Sequence, residues 1–454
     1  MQIGRKSLNF SRWLLLPFCT WTLTAQTPEM ARILERLDRL EQQNRELLEQ
    51  IKSLRNELAA SQKAPAESGA EQAATLDERV TVQERRVEEQ AQSKVESSQR
   101  FPIRITGMAL FNGFLNSQHS GGTQYPTLAV PAIGASGGAT VRQTVIGLEF
   151  RGPETIWGGR VHGNLNMDFL GGEGTGLNQA LRVRTASIDI DWKSRSITAG
   201  LEKPIFSPRE PNSLAQVGVS PLTGAGNLWL WIPQVRLEQR VHFSDRSGVR
   251  LQLGVVQTRE GASYQATSYQ AEVEPNRPGY EGRLEIFHGL PGERRFEIAP
   301  GFHYSVSHTA ETSVPSRVFS LDWFANPWRK LEFTGAFFRG QNVAHLGTGG
   351  TRQGYTALGP RNVIAVHSLG GWAQLTWLPT ARLSFNLFSG QQDDRNRDLL
   401  SGRIGKNLAY GANLFYRVAP NVIIGLETSQ LRTSYLGSGT LLNNHYDLAL
   451  AYLF

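Results

Sequence analysis

The chain has 454 residues, 40% of them hydrophobic and 46 of them glycine, and a formal charge of +7 at pH 7. With a mean hydropathy of −0.32 and no run of 18 apolar residues, a bundle of membrane helices is excluded, but a membrane barrel is not, because its strands need no such run. The charge is uneven: residues 1–25 carry three basic groups, residues 26–100 carry 12 Lys and Arg against 15 Asp and Glu, and the rest carries 32 against 25. No basic cluster is interleaved with aromatic residues, which argues against a nucleic-acid surface.

In chain order, Arg5, Lys6 and Arg12 precede an apolar core from Trp13 to Leu23. That core has the length of a secretory signal and is too short to span a membrane. Residues 1–25 are expected to be a signal peptide cut after Ala25, although Leu23 stands where a small residue is preferred. The single cysteine, Cys19, lies within this segment, so the mature chain is expected to lack disulfides, iron–sulfur clusters and thiol catalysis.

Residues 26–60 form the next unit. Met30, Leu37, Asn44, Ile51 and Leu58 repeat at heptad spacing, as do Ile33, Leu40, Leu47 and Leu54. This pattern predicts a coiled coil in which Leu37, Leu40, Asn44, Leu47, Ile51 and Leu54 make the contacts between copies. Leu34 and Leu48 widen the apolar stripe beyond a dimer seam, which favours a trimer. Residues 61–101 read as a linker, with a weaker second helix from Leu76 to about Ser97.

From residue 102 to 454 the sequence alternates polar and apolar residues in sixteen stretches: 102–115, 141–151, 159–170, 181–193, 195–203, 227–243, 248–258, 280–288, 294–308, 313–325, 329–340, 363–378, 381–390, 404–418, 420–431 and 442–454. Connections mostly alternate short and long, the link from Thr309 to Thr312 being an exception. Short turns on one side and long loops on the other are the pattern of bacterial outer-membrane barrels. An even strand count places both ends, and with them the coil, on the short-turn, periplasmic side. Trp157, Trp192, Trp323, Trp328 and Trp377 sit at or beside the short turns, where an aromatic girdle belongs.

Facing follows from the period of two. In 159–170, Val161, Gly163, Leu165, Met167 and Phe169 are expected outward, with Arg160, His162, Asn164, Asn166 and Asp168 inward. In the closing strand Tyr446, Leu448, Leu450, Tyr452 and Phe454 share one face. Arg182 and Arg184 break the pattern by falling on the side of Ile188 and Ile190, which predicts a bulge, a subunit interface or a lipopolysaccharide contact. About sixteen strands closed on themselves enclose a polar interior. The expected pore-lining residues are Arg104, Arg160, His162, Asp168, Arg209, Arg236, Glu238, Arg240, Arg250, Arg283, Arg295 and Arg382. Acidic partners are nearly as numerous: Glu149, Asp189, Asp191, Glu281, Glu285 and Glu297 join Asp168 and Glu238.

Four stretches, MDFLGG (Met167 to Gly172), LRVRTASIDIDW (Leu181 to Trp192), ITAGLEKPIFSP (Ile197 to Pro208) and GNLWLWIPQVRLE (Gly226 to Glu238), follow a signal peptide and a coiled coil. This order resembles the trimeric DcaP-like porins and, more distantly, the phosphate-selective porins, over nearly the whole mature chain. The resemblance implies a passive outer-membrane channel, since such porins often carry small anions. The sequence lacks a dense basic ladder, so no particular substrate carries over.

No catalytic grouping emerges. The nine histidines are scattered, without H-x-H or H-E-x-x-H spacing, and GEGTGL and GTGGT lack the lysine and the strand–helix context of a phosphate loop. Asp189 with Asp191, and Asp393 with Asp394, offer two carboxylates each, too few by themselves to define a metal site. The expectation is therefore an all-β transmembrane barrel with a periplasmic α-helical coil. It would act as a porin for small hydrophilic solutes with weak anion preference, using no cofactor, metal or nucleic acid. It would form a homotrimer in contact with outer-membrane lipid and lipopolysaccharide. The alternative is an envelope tether in which the barrel anchors the coil and peptidoglycan is the coil's partner. Residues 203–226, rich in Pro, Gly and apolar groups, are expected to fold into the barrel as its third long loop.

Overall fold

A computed structural model describes residues 103–132, 134–172, 180–257, 272–273, 277–309, 312–348, 353–359 and 361–454. The expected signal peptide, coiled coil with its six contact residues, and linker lie outside the described residues. The first quarter of the wall is β1 (Ile103–Asn116), β2 (Ser136–Thr140), β3 (Val145–Thr155), β4 (Gly159–Gly171) and β5 (Ala180–Asp191). It continues with β6 (Arg195–Glu202), β7 (Ile232–His242), β8 (Ser247–Val256), β9 (Glu272–Val273), β10 (Gly279–Leu290), β11 (Arg294–Thr309) and β12 (Thr312–Trp328). Then follow β13 (Leu331–Gln341), β14 (Tyr355–Gly359), β15 (Asn362–Ala365), β16 (His367–Thr380), β17 (Leu383–Asp394), β18 (Ile404–Ala419), β19 (Val422–Tyr435) and β20 (Gly439–Leu453).

Seventeen of these make one closed antiparallel wall of sixteen strands. Each pairs with the next along the chain, and β1 closes the ring against β20 from Met108↔Leu453 to Asn116↔His445. The strands β2 and β3 are two parts of one wall strand, both paired to β1 and separated by residues 141–144. The short pieces β9 and the hairpin β14–β15 stand in the long loops. Closure leaves no exposed edge, the property a sheet needs to sit in lipid.

Alternation sets the facing throughout. Large apolar groups such as Ile105, Phe111, Leu237, Ile286, Phe319 and Leu448 lie exposed on the outer surface, whereas Asn112, Glu281, Arg283, Asp322, Gln374 and Asn413 are buried inside. The reversed burial is the physical signature of a wall with hydrocarbon outside and polar groups within. Aromatic groups cluster at the short-turn end, where Trp377 stacks on Phe385 and Tyr452 on Phe454, and Trp157 is 87% exposed.

Several boundaries differ from the sequence reading. The alternating stretch that begins at residue 227 enters the wall only at Ile232, because Asn227 to Trp231 turn inside and pack as the return of the third loop. The link between β19 and β20 spans only residues 436–438, where the sequence reading left residues 432–441 between strands. The Arg182 and Arg184 anomaly is a bulge. The β4–β5 register shifts between Asn166↔Thr185 and Met167↔Val183, returning Arg182 to the inner face opposite Asp168.

Candidate pore and its third loop

The interior is organised by the third long loop, residues 203–231, which crosses from β6 to the far walls and back to β7. A loop placed inside a barrel brings peptide groups that must find partners. On one side its partners are charged. Arg209 donates Nε to Asp322 Oδ1 at 2.6 Å and Nη2 to Glu297 Oε2 at 2.5 Å. Asp322 is shared with Arg283, whose Nε reaches Oδ2 at 2.7 Å, and Arg283 also pairs with Glu285 at 2.6 Å. Glu285 accepts from Arg250 at 2.5 Å, and Glu297 accepts from Arg295 at 2.5 Å. Arg209, Arg250, Arg283 and Arg295 thus face Glu285, Glu297 and Asp322, with Glu281 a fourth carboxylate on the same wall. On the same side Glu281 accepts the main-chain N–H of Ile205 at 2.7 Å and Ser320 donates to the carbonyl of Phe206.

On the opposite side the partners are amides. Gln143 donates to the Ala215 carbonyl at 2.8 Å and accepts from the N–H groups of Val217 at 2.8 Å and Gly218 at 3.0 Å. Asn112 donates to the Leu214 carbonyl, Asn413 to that of Asn212 and Asn407 to that of Gly224. Gln374 accepts the Asn212 N–H at 2.7 Å. The loop comes so close to the wall at Gly226 that a Cβ there would lie 2.3 Å from the Gly371 carbonyl oxygen, and its φ of +96° also calls for glycine. Burial alone would raise the Glu210 carboxyl, but Lys203 at 2.5 Å, the Ser220 hydroxyl and Arg184 hold it below its ordinary value. Between the loop and the short-turn end lies a cavity of about 470 Å³ lined by Arg184, Glu210, Asn212, Glu332, Thr376 and Asn386, among others.

Other residues singled out from sequence are distributed around the interior. Arg104 stands opposite Glu149, and Arg160 opposite Glu154 and Asp191, at the short-turn end. His162 meets Asp191 at 3.5 Å, and His242 packs edge-on against Phe287. Asp168 is fully buried and takes Arg182 at 2.6 Å, while Arg182 and Arg184 both stack on Trp231. Glu238 holds Arg240 at 2.6 Å and Gln252 at 2.7 Å, and Arg236 donates to the Thr198 hydroxyl at 3.2 Å. Arg382 is the exception. The strand β16 runs through Thr380 and β17 begins at Leu383, so Arg382 lies exposed in the turn at the rim and not on the wall.

The two carboxylate pairs do not gather ligands. Asp189 accepts from Ser187 and Thr198, while Asp393 faces outward to Lys406 and Asp394 inward to Gln353 and Gln392. The sequence reading missed Asp322, which shares the inner face of β12 with Phe324, the ring on which Arg209 and Arg295 lie. It also missed the amide side chains, which carry no charge signal.

The architecture defines a class: a closed sixteen-stranded antiparallel barrel with a polar interior and an infolded third loop, as in porins. In particular, the fold is of the DcaP type. The outer membrane channel DcaP of Acinetobacter baumannii matches with a TM-score of 0.64 and 14% identity, over 78% of this chain and 97% of that one. An anion-selective porin from Comamonas acidovorans matches with a TM-score of 0.52 and 10% identity, over 78% and 99%. No family model matches the sequence, and no curated relative does.

Proposed function

We propose that the protein is an outer-membrane porin, a passive channel for small hydrophilic solutes with weak anion preference. The observation that carries this reading is the third loop pinned across a polar lumen by Arg209 between Asp322 and Glu297. Fixed charges of both signs at such a narrowing orient polar solutes, and a small cation excess favours anions only slightly. Arg236, with a hydroxyl and no carboxylate as its partner among the described residues, contributes to the excess of basic over acidic residues beyond residue 100. The pore-lining set is Arg104, Arg160, His162, Asp168, Arg209, Arg236, Glu238, Arg240, Arg250, Arg283 and Arg295, with Arg382 at the rim. The fold shared with DcaP and with a porin described as anion-selective supports the reading.

In this reading the heptads between Met30 and Leu58 join three copies in the periplasm, and residues 1–25 direct export. Planar-bilayer recording is the test. The purified protein should give conductance steps, with a reversal potential in a salt gradient that shows anion preference at low salt and fades as the Debye length falls to about 3 Å at 1 M. Replacing Arg236 and Arg240 by Ala together should reduce that preference. Absence of steps would refute the channel and leave the tether reading. Loss of the trimer mass on deleting residues 28–60, with the barrel still folded, tests the coil.

A further inference from the structure

The outer wall carries a basic groove that the channel does not use. Near the long-loop end of β13, β16 and β17, a cavity of about 420 Å³ opens outward, lined by Arg339, His367, Leu369, Asp393 and Arg395. Register places them together: Arg339 pairs with Leu369, Leu369 with Asp393, and the Arg395 N–H donates to the His367 carbonyl at 2.8 Å. The two acids at this site are occupied, Asp393 with Lys406 at 3.6 Å and Asp398 with His367 at 2.8 Å. Arg339 and Arg395 have no carboxylate partner among the described residues. Directly beside and below them the outer face is apolar, with Phe319 opposite Arg339, then Phe337 and Leu375.

Unpaired guanidinium groups at the upper margin of a hydrocarbon-facing surface suit an amphiphile with an anionic head. A soluble anion would make no use of the adjoining apolar wall, and guanidinium is the side chain best shaped for phosphate. We propose that this groove binds a phosphate group of a phosphorylated glycolipid of the lipid A class, with its acyl chains lying against Phe337 and Leu375. The choice of lipid rests on the outer-membrane reading, which places the long-loop end in the outer leaflet.

Native mass spectrometry of the full-length protein, titrated with bis-phosphorylated lipid A in detergent, tests the proposal. Wild type should retain the lipid, and Arg339→Gln with Arg395→Gln should weaken retention by at least about tenfold, as expected for losing charged hydrogen bonds. Dephosphorylated lipid A should bind wild type no better than the double variant. Arg246→Gln, an exposed change at the short-turn end, should leave retention unchanged. Equal retention by wild type and the double variant would overturn the proposal. So would inorganic phosphate binding as tightly as the lipid, which would mark a free-anion site, or dissociation of the oligomer in the variant with lipid retention intact, which would mark a subunit contact. Bilayer conductance of the double variant should match wild type. Lipid retention without conductance in wild type would refute the channel while sustaining this site.

Discussion

Where the third loop meets β10 to β12 its Arg209 is held by guanidinium–carboxylate pairs, and where it meets β1, the β2–β3 link, β16 and β18 its peptide groups are held by amides. The charged side binds a side chain, Arg209, and shares Asp322 and Glu285 among several cations. The amide side binds main chain, through Asn112, Gln143, Gln374, Asn407 and Asn413. An amide offers donors and an acceptor without charge, so it can satisfy a peptide unit and leave the local field nearly unchanged. Both walls therefore pin the loop, with Glu281 and Ser320 also holding main chain on the charged side, but the charged groups that set the field are concentrated on one of them.

The two sides should fail differently. Arg283→Ala strips the shared cation from buried Asp322 and Glu285, and should cost about 3–5 kcal/mol, as for breaking a buried pair from one side. Denaturant unfolding in detergent measures it, and a loss near zero would mean that water already screens this wall. Gln143→Ala leaves two N–H groups and a carbonyl of the loop without their partner. Its expected cost is smaller, about 1–3 kcal/mol, accompanied by a noisier open-channel current and an unchanged reversal potential. A shifted reversal potential would show that the amide wall also sets the field.

The smallest effect at neutral pH concerns His345, which lies in the loop after β13. Burial and the neighbouring His303 hold its pKa well below the ordinary value of 6.5. The unfolded chain therefore takes up a proton more readily than the folded one. The stability from the neutral ring is fully present above about pH 6.5 and is lost as pH falls below it. Thermal unfolding at pH 7.5 and 5, compared with His345→Gln, should show a pH-dependent loss that the variant reduces. An identical pH response would remove His345 as its source.

Much of the wall was legible because alternation is local. The inward set of β4, from Arg160 to Asp168, could be read residue by residue, since each position depends only on its neighbours in sequence. The site was less legible because it is assembled by contacts that are distant in sequence. LWLWI, residues 228–232, is a continuous apolar run that reads as the start of a strand, yet Leu228 and Trp229 are buried by the loop fold. The parity of Arg182 depended on a register shift that only the partner strand reveals. Neutral amides such as Gln143 gave no sign of their role, because nothing in composition distinguishes an amide that binds a loop from one that faces water.

The seam between β1 and β20 carries a kinetic consequence. Every other neighbour in the wall is the next strand along the chain, so the sheet can grow one hairpin at a time with little loop-closure entropy at each step. The seam instead joins Asn112 to Asp447, 335 residues apart, and reciprocal main-chain bonds link Gly107 with Phe454 at 3.0 and 3.1 Å. Until it forms, both strands are open templates for intermolecular pairing. High contact order should make this the slow step, and Gly107 is its tightest point, because a Cβ there would lie 2.6 Å from the Phe454 ring. Substitutions along this seam should therefore be felt first as slower assembly and greater aggregation, even where the finished barrel tolerates them.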